Sequence, residues 1–106
     1  MFFESTYFDA RVELTDERAV HILSGHPEFG SDLTQMLDQT VGTPDQVRAS
    51  PRLGTARLMC RWYDDFKDGK WVVAVVVTDM PSQRRWIVTA YVTSRLTSGE
   101  IEWARS

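Results

Sequence analysis

Apolar side chains in the first half of the chain recur at helical spacing in two short segments. The first, residues 16–24, follows Thr15, whose hydroxyl suits a helix N-cap, and it ends at Gly25. The second can be capped by Ser31 and ends at Gly42. Its apolar and half-apolar positions recur at i, i+3, i+4, i+7 and i+8, namely Leu33, Met36, Leu37, Thr40 and Val41. We therefore predict two helices near the N-terminus.

From Gln46 onward the pattern changes to a period of two, and β-branched residues become frequent. Turn-forming pairs such as Asp68-Gly69 separate consecutive apolar runs, which favours an antiparallel meander. The predicted strands are 46–49, 56–64, 71–78, 85–94 and 100–104, with an additional strand around 7–14. We expect one α+β domain over residues 1–106, with two N-terminal helices packed on one face of a four- to five-stranded antiparallel sheet.

Alternation along the predicted strands assigns their side chains to two faces of the sheet. The apolar face, expected to receive the helices, holds Leu58, Cys60, Trp62, Trp86, Val88, Ala90 and Val92. The opposite, open face is expected to carry a hydroxyl and guanidinium surface made of Arg57, Arg61, Tyr63, Thr89, Tyr91 and Thr93. A polar outer face is also what solubility alone requires of a half-exposed sheet, so simple solvation is the alternative interpretation.

Acidic and basic residues are unevenly divided along the chain. Residues 1–45 carry nine acidic and two basic groups, whereas residues 46–106 carry ten basic and six acidic groups, within an overall net charge of −3. The stretch from Arg48 to Arg61 holds four arginines and no carboxylate. It predicts a cationic surface on which Arg48, Arg52 and Arg57 bind phosphate or another anion.

Length and composition limit the class of protein. A chain of 106 residues with 42% hydrophobic content can build one core without disulfides, and the single cysteine, Cys60, excludes an intramolecular disulfide. The N-terminal sequence lacks the pattern of a secretory signal, and no apolar run approaches the roughly 20 residues that span a bilayer. We expect a cytoplasmic protein with no membrane association.

His21 and His26 are the only imidazoles of the chain. Five residues apart, they would be separated by roughly 140° around a helix, which is not the spacing of paired zinc ligands, and we expect no metal and no cofactor. Arginine beside tyrosine, threonine and histidine is nevertheless the chemistry of metal-independent RNA cleavage. A base takes the proton of a ribose 2′-hydroxyl, guanidinium holds the phosphate, and an acid protonates the leaving oxygen. Either histidine is a candidate for this acid or base, although His21 near a helix C-terminus is also a favourable cation.

Four segments carry a resemblance to a known superfamily. AVHILSGHPEF, QTVGTPDQVRASP, RLMCRWYDD and WIVTAYVTSR, in this order, resemble small bacterial and phage-associated domains of the barnase, EndoU, colicin and RelE-like ribonucleases. The resemblance implies helices followed by a four-stranded antiparallel sheet, with metal-independent RNA cleavage as an activity of its toxin members. By position it assigns His21 and His26 to the helical histidine region, Arg61 and Tyr63 to the RWY strand, and Thr89 and Tyr91 to the TAY strand.

We therefore predict a ribonuclease-like domain, a toxin or phage-related effector, that acts on RNA as a monomer or homodimer and has a cognate inhibitor protein as a second expected partner. The predicted catalytic residues are His21, His26, Arg61, Tyr63, Thr89 and Tyr91, and the predicted substrate-binding residues are Arg48, Arg52, Arg57 and Thr93. The alternative is a noncatalytic module of the same fold that binds protein or RNA. The acidic pI of about 5.3 favours this alternative, because phosphate contacts by basic residues supply most nonspecific affinity for RNA.

Overall fold

The computed structural model describes residues 1–106, which form seven strands and two short α-helices. The strands are β1 (Phe2–Ser5), β2 (Ala10–Glu13), β3 (Gln46–Ala49), β4 (Arg57–Tyr63), β5 (Lys70–Asp79), β6 (Arg84–Thr93) and β7 (Glu100–Ala104). The helices are α1 (Asp16–Gly25) and α2 (Leu33–Gly42), joined by a 3₁₀ helix over Pro27–Asp32. Neither α-helix is long and apolar enough to cross a bilayer.

All seven strands belong to one mixed sheet, in the order β1-β2-β6-β5-β4-β3-β7. Neighbouring strands are antiparallel except β2 and β6, which pair in parallel where Glu13 meets Trp86. The predicted fold, two N-terminal helices on a four- to five-stranded antiparallel sheet, is therefore wrong. The expected strand over 7–14 is present but shorter, as β2, and it pairs with β1 in a hairpin that precedes both helices and extends the sheet beyond β6.

Local signals explain the helix boundaries. The Thr15 hydroxyl accepts a hydrogen bond from the backbone N–H of Arg18 at 3.1 Å. Thr15 is thus the N-cap that its side chain predicts, and α1 starts at Asp16. The second helix lacks the cap expected from Ser31, because the 3₁₀ helix continues into it and Asp32 takes the N-cap position without a side-chain bond. The connection between the two helices is thus a 3₁₀ helix that runs directly into α2, and no side chain caps the start of α2.

The main core lies between the helices and one face of the sheet. Its large, fully buried side chains include Ile22 and Leu37 from the helices, Phe29 from the 3₁₀ helix, and Met59 and Ile87 from the sheet. A second, smaller cluster covers the opposite face, which we call the outer face, and consists of Ala56, Leu58, Cys60, Val73 and Val75. Strand β5 is therefore buried on both faces, which explains its uninterrupted apolar sequence.

Both faces of the sheet are apolar at β4, and the predicted assignment of β4 side chains to the helix side and the outer face is reversed in the structure. Met59 and Tyr63 point to the helices, while Leu58 and Cys60 point to the outer face. In β6 the register shifts between Val75 and Val76 of its partner strand, so alternation changes phase along the strand. The helix-side residues of β6 are therefore Ile87, Ala90 and Val92, and the predictions hold for Ala90 and Val92 but fail for Val88, which packs on the outer face.

The sheet curls around α2 and brings its two edges together. The Thr6 N–H, just after edge strand β1, donates to the carbonyl oxygen of Gly42 at the end of α2 at 3.1 Å. Tyr7 then meets the opposite edge strand β7, where its ring centroid lies 6.1 Å from that of Trp103 and its hydroxyl donates to Glu102 at 3.3 Å. Tyr7 also packs against the main core, so the two edges of the sheet meet on the helix side.

Candidate functional site

A cleft of about 420 Å³ opens beside α2, at the C-terminal end of β4. We call it the helix-side cleft, and it is lined by Asp32, Gln35, Met36, Gln39, Arg61, Trp62, Tyr63, Asp64, Asp65 and Phe66. Two predicted catalytic residues, Arg61 and Tyr63, therefore lie on the side of the helices and not on the outer face. Three carboxylates share this cleft with a single guanidinium, which makes it a poor environment for a phosphate.

Arg61 and Tyr63 both bond to α2 or to the residue that ends it. The Arg61 guanidinium donates to the carbonyl and hydroxyl oxygens of Thr43, at 2.5 and 2.8 Å. The Tyr63 hydroxyl donates to the Met36 carbonyl oxygen at 2.9 Å, which leaves the Thr40 hydroxyl to donate to Tyr63, also at 2.9 Å. Burial raises the pKa of Tyr63 above its usual value of 10.0, so the phenol stays protonated. These side chains fasten β4 to α2.

The structure does not bring either histidine to these residues. His21 is exposed on α1 and makes no hydrogen bond or ion pair. His26 caps the C-terminal end of α1 through its backbone N–H, and its Nδ1 lies 3.7 Å from a carboxylate oxygen of Glu28. Its ring packs against the edge of Phe29. Neither imidazole lines the helix-side cleft or the groove described next, so neither can act as acid or base in these two places.

A larger groove, of about 620 Å³, lies on the outer face. We call it the outer-face groove, and its lining consists of Ser50, Pro51, Arg52, Leu53, Leu58, Val75, Val88, Thr89, Tyr91 and Ser98. The floor is aliphatic and comes from the three central strands. One wall is a turn in which the Ser50 hydroxyl accepts hydrogen bonds from the N–H groups of Arg52 and Leu53, at 3.3 and 3.2 Å. No carboxylate lines this groove.

Three predicted residues, Arg52, Thr89 and Tyr91, line the outer-face groove together. Burial raises the pKa of Tyr91 above 10.0, with the charge of Arg48 partly opposing the rise, so Tyr91 is present as a neutral hydroxyl at ordinary pH. Thr93 lies just outside, where its hydroxyl donates to the carbonyl oxygen of Arg95 at 2.9 Å. The outer face therefore holds part of the predicted polar surface, separated by the sheet from Arg61 and Tyr63.

The other two predicted phosphate ligands are occupied within the chain. Arg48 donates through Nε to Gln46 at 2.8 Å and through one terminal nitrogen to the carbonyl oxygens of Ser98 and Gly99, each at 3.4 Å. Arg57 forms an ion pair with Glu102, in which the Nε to carboxylate oxygen distance is 2.7 Å. Their guanidinium groups organise loops and the edge strand β7, which leaves Arg52 as the free cation of the groove.

Sequence reasoning missed the aliphatic members of the outer-face groove, namely Leu53, Leu58, Val75 and Val88. The signal for them is the unbroken apolar run of β5, which indicates a strand covered on both sides and hence an apolar outer face. The turn from Ser50 to Leu53 also has a local signal in the sequence. A serine hydroxyl can accept hydrogen bonds from the backbone N–H groups two and three residues later, as Ser50 does here.

No group of three or more His, Cys, Asp or Glu side chains is placed to hold a metal ion. Comparisons with family models, with curated proteins and with solved structures find no match. The resemblance to the barnase, EndoU, colicin and RelE-like superfamily therefore stays a prediction.

Proposed function

We propose that this chain is a noncatalytic interaction module that binds a segment of a protein partner in the outer-face groove. The observation that carries the proposal is the composition of this groove, which combines an aliphatic floor, hydroxyl groups, one free arginine and no carboxylate. Tyrosine and arginine side chains are enriched at the buried centres of protein interfaces, and aliphatic surface stabilises a complex when it is buried.

A protein segment suits this groove better than RNA does. The floor residues Leu58, Val75 and Val88 offer aliphatic surface, whereas single-stranded RNA is held by stacking of its bases on aromatic rings. Arg52 is the only basic residue of the lining, whereas affinity for RNA comes from several phosphate contacts made by basic side chains. Aliphatic side chains of a protein would instead bury apolar surface against the floor.

RNA cleavage in the same groove is the second candidate function. It is favoured by the presence of Arg52, Thr89 and Tyr91 on one carboxylate-free surface. It lacks a group to accept or donate a proton, because no imidazole or carboxylate lines the groove and the pKa of Tyr91 is raised.

Two measurements test the proposal together. Purified protein is incubated with mixed single-stranded RNA in excess EDTA at several pH values, beside Arg52→Ala and Tyr91→Ala preparations that distinguish cleavage in the groove from contaminating nuclease. Separately, the protein is used to select binders from a displayed library of random 12-residue peptides, and the binding site of the selected peptides is mapped by shifts of backbone amide resonances. We expect no cleavage, and amide shifts confined to the outer face.

A pair of matched variants locates the peptide site. Thr89→Trp places a bulky neutral side chain in the outer-face groove and should abolish binding, whereas Thr34→Trp makes the same change on the exposed surface of α2 and should leave binding intact. RNA cleavage that persists in wild-type protein and disappears in a variant would refute the noncatalytic assignment. Peptide-induced shifts on the helix side would refute the site.

A further inference from the structure

We infer that the segment bound in the outer-face groove is acidic as well as aliphatic, with a carboxylate placed on the guanidinium of Arg52. This inference rests on the proposed function and adds the chemistry of the partner to it. Its basis is the state of the charged and hydroxyl groups that line the groove.

Arg52 differs from most arginines of the chain because its guanidinium has no partner. Seven others donate to oxygen acceptors of the chain: Arg18 to Val88, Arg48 to Ser98 and Gly99, Arg57 to Glu102, Arg61 to Thr43, Arg84 to Glu13, Arg85 to Gln83 and Arg105 to Asp45. Arg11 lies over the ring of Phe2. Arg95 is also without a side-chain partner, but it does not line the groove.

The backbone beside the free guanidinium is held in place. The N–H groups of Arg52 and of the next residue both donate to the Ser50 hydroxyl, so the turn presents the arginine at the edge of the groove. Binding a carboxylate there costs the ordering of one side chain and no rearrangement of a loop. A guanidinium also binds a carboxylate through two parallel hydrogen bonds, which fixes the orientation of the segment.

Three of the four hydroxyl groups that line the groove are free as well, Ser50 being the exception. The side chains of Thr89, Tyr91 and Ser98 make no hydrogen bond within the chain, and all three line the groove. They can donate to backbone carbonyl oxygens of an extended segment, or accept from its N–H groups, while aliphatic side chains of the segment rest on the floor. Binding of this kind satisfies the polar groups of both partners.

The charge of the surroundings favours an acidic segment near Arg52. The groove lining includes no carboxylate. Glu100 lines an adjoining hollow that shares Ser50 and Pro51 with the groove. The negative charges of the helix-side cleft, from Asp32, Asp64 and Asp65, belong to a different lining. A carboxylate of the bound segment is therefore attracted by the Arg52 guanidinium, and no carboxylate of the groove lining competes for it.

Charge reversal of Arg52 tests the inference. Wild-type protein, Arg52→Glu and the control Arg95→Glu are each used to select peptides from the same random library. We expect the wild type and the control to enrich Asp or Glu beside Leu, Ile or Val, and Arg52→Glu to enrich Lys or Arg instead. Peptides selected on the wild type should bind Arg52→Glu about tenfold or more weakly, since an attraction becomes a repulsion, and should weaken as salt is raised.

The outcomes separate this inference from the function it rests on. Selected peptides that shift outer-face amides, yet are neutral and bind Arg52→Glu and Arg52→Gln as tightly as the wild type, would overturn the acidic partner and leave the interaction module standing. A library that yields no binder would overturn both. A single-stranded oligouridylate that binds in an Arg52-dependent manner and displaces the peptides would overturn the acidic peptide in favour of RNA.

Discussion

Raising the pH above 9 should destabilise this protein through the thiol of Cys60. The side chain is fully buried in the outer-face cluster, and its S–H donates to the carbonyl oxygen of Leu58 at 3.4 Å. Burial raises the pKa of Cys60 from 9.0 to about 12, and the neighbouring charge of Arg48 reduces this rise only in part. The thiol is thus inert as a nucleophile at neutral pH, and its effect appears in stability.

The sign of this effect follows from which state of the chain holds the proton. Below pH 9 the thiol is protonated in both states, so its contribution to stability is fully present. Between pH 9 and about 12 the unfolded chain loses the proton and the folded chain retains it, so the free energy of unfolding falls. At a pH of about 10.5 the loss amounts to roughly 2 kcal/mol for this one group.

Urea unfolding at pH 8 and at pH 10.5 measures this loss in the wild type and in Cys60→Ala. The substitution removes buried volume and lowers stability at both pH values, so that cost cancels when the change with pH is compared. The wild type should lose about 2 kcal/mol more than the variant between the two pH values. Equal losses in the two proteins would refute a buried thiol with a raised pKa.

Two further predictions concern single contacts. Tyr63→Phe removes the hydroxyl that bonds to Met36 and Thr40, and should lower the free energy of unfolding by about 1–3 kcal/mol. Urea unfolding at neutral pH measures this change, and an unchanged stability would show that these hydrogen bonds do not hold β4 to α2. Gly99→Ala should detach β7, because a Cβ there would lie 2.1 Å from the Ala49 carbonyl oxygen at a φ of +77°, and faster amide exchange in β7 would report it. Gly54→Ala, where nothing lies within 4 Å of an added Cβ, is the control and should leave exchange in β7 unchanged.

The elements that could be predicted are those whose signals are local. The bounds of β3 and β7 agree with the predicted 46–49 and 100–104, and α1 begins directly after the capping Thr15. The β1–β2 hairpin was missed because β1 is only four residues long and has no turn signal of its own: Asp9, not glycine, takes the positive φ in the connection. The parallel pairing of β2 with β6 depends on a long-range arrangement that no local pattern encodes.

The orientation of the strands was harder to predict than their position. Alternation identifies two faces but does not say which one meets the helices when both are apolar, as in β4, where Met59 packs under the helices and Leu58 on the outer face. The register shift between β5 and β6 reverses the predicted faces of Ile87 and Val88 and leaves Tyr91 on the outer face, as predicted. The predicted site was divided because the two faces of β4 are reversed, which places Tyr63 on the helix side and leaves Tyr91 on the outer face.

Charge along the sequence is likewise an incomplete guide to a binding surface, because it does not show which charges have partners. The stretch from Arg48 to Arg61 predicted four cationic ligands on one face. In the fold, Arg48 bonds to a loop 50 residues away, Arg61 bonds to Thr43, 18 residues away, and Arg57 pairs with Glu102. An arginine whose donors are already satisfied offers less to a ligand, since binding must first break internal bonds. Of the four, only Arg52 retains its full capacity to bind an anion, which is why the experiments on partner chemistry depend on that residue.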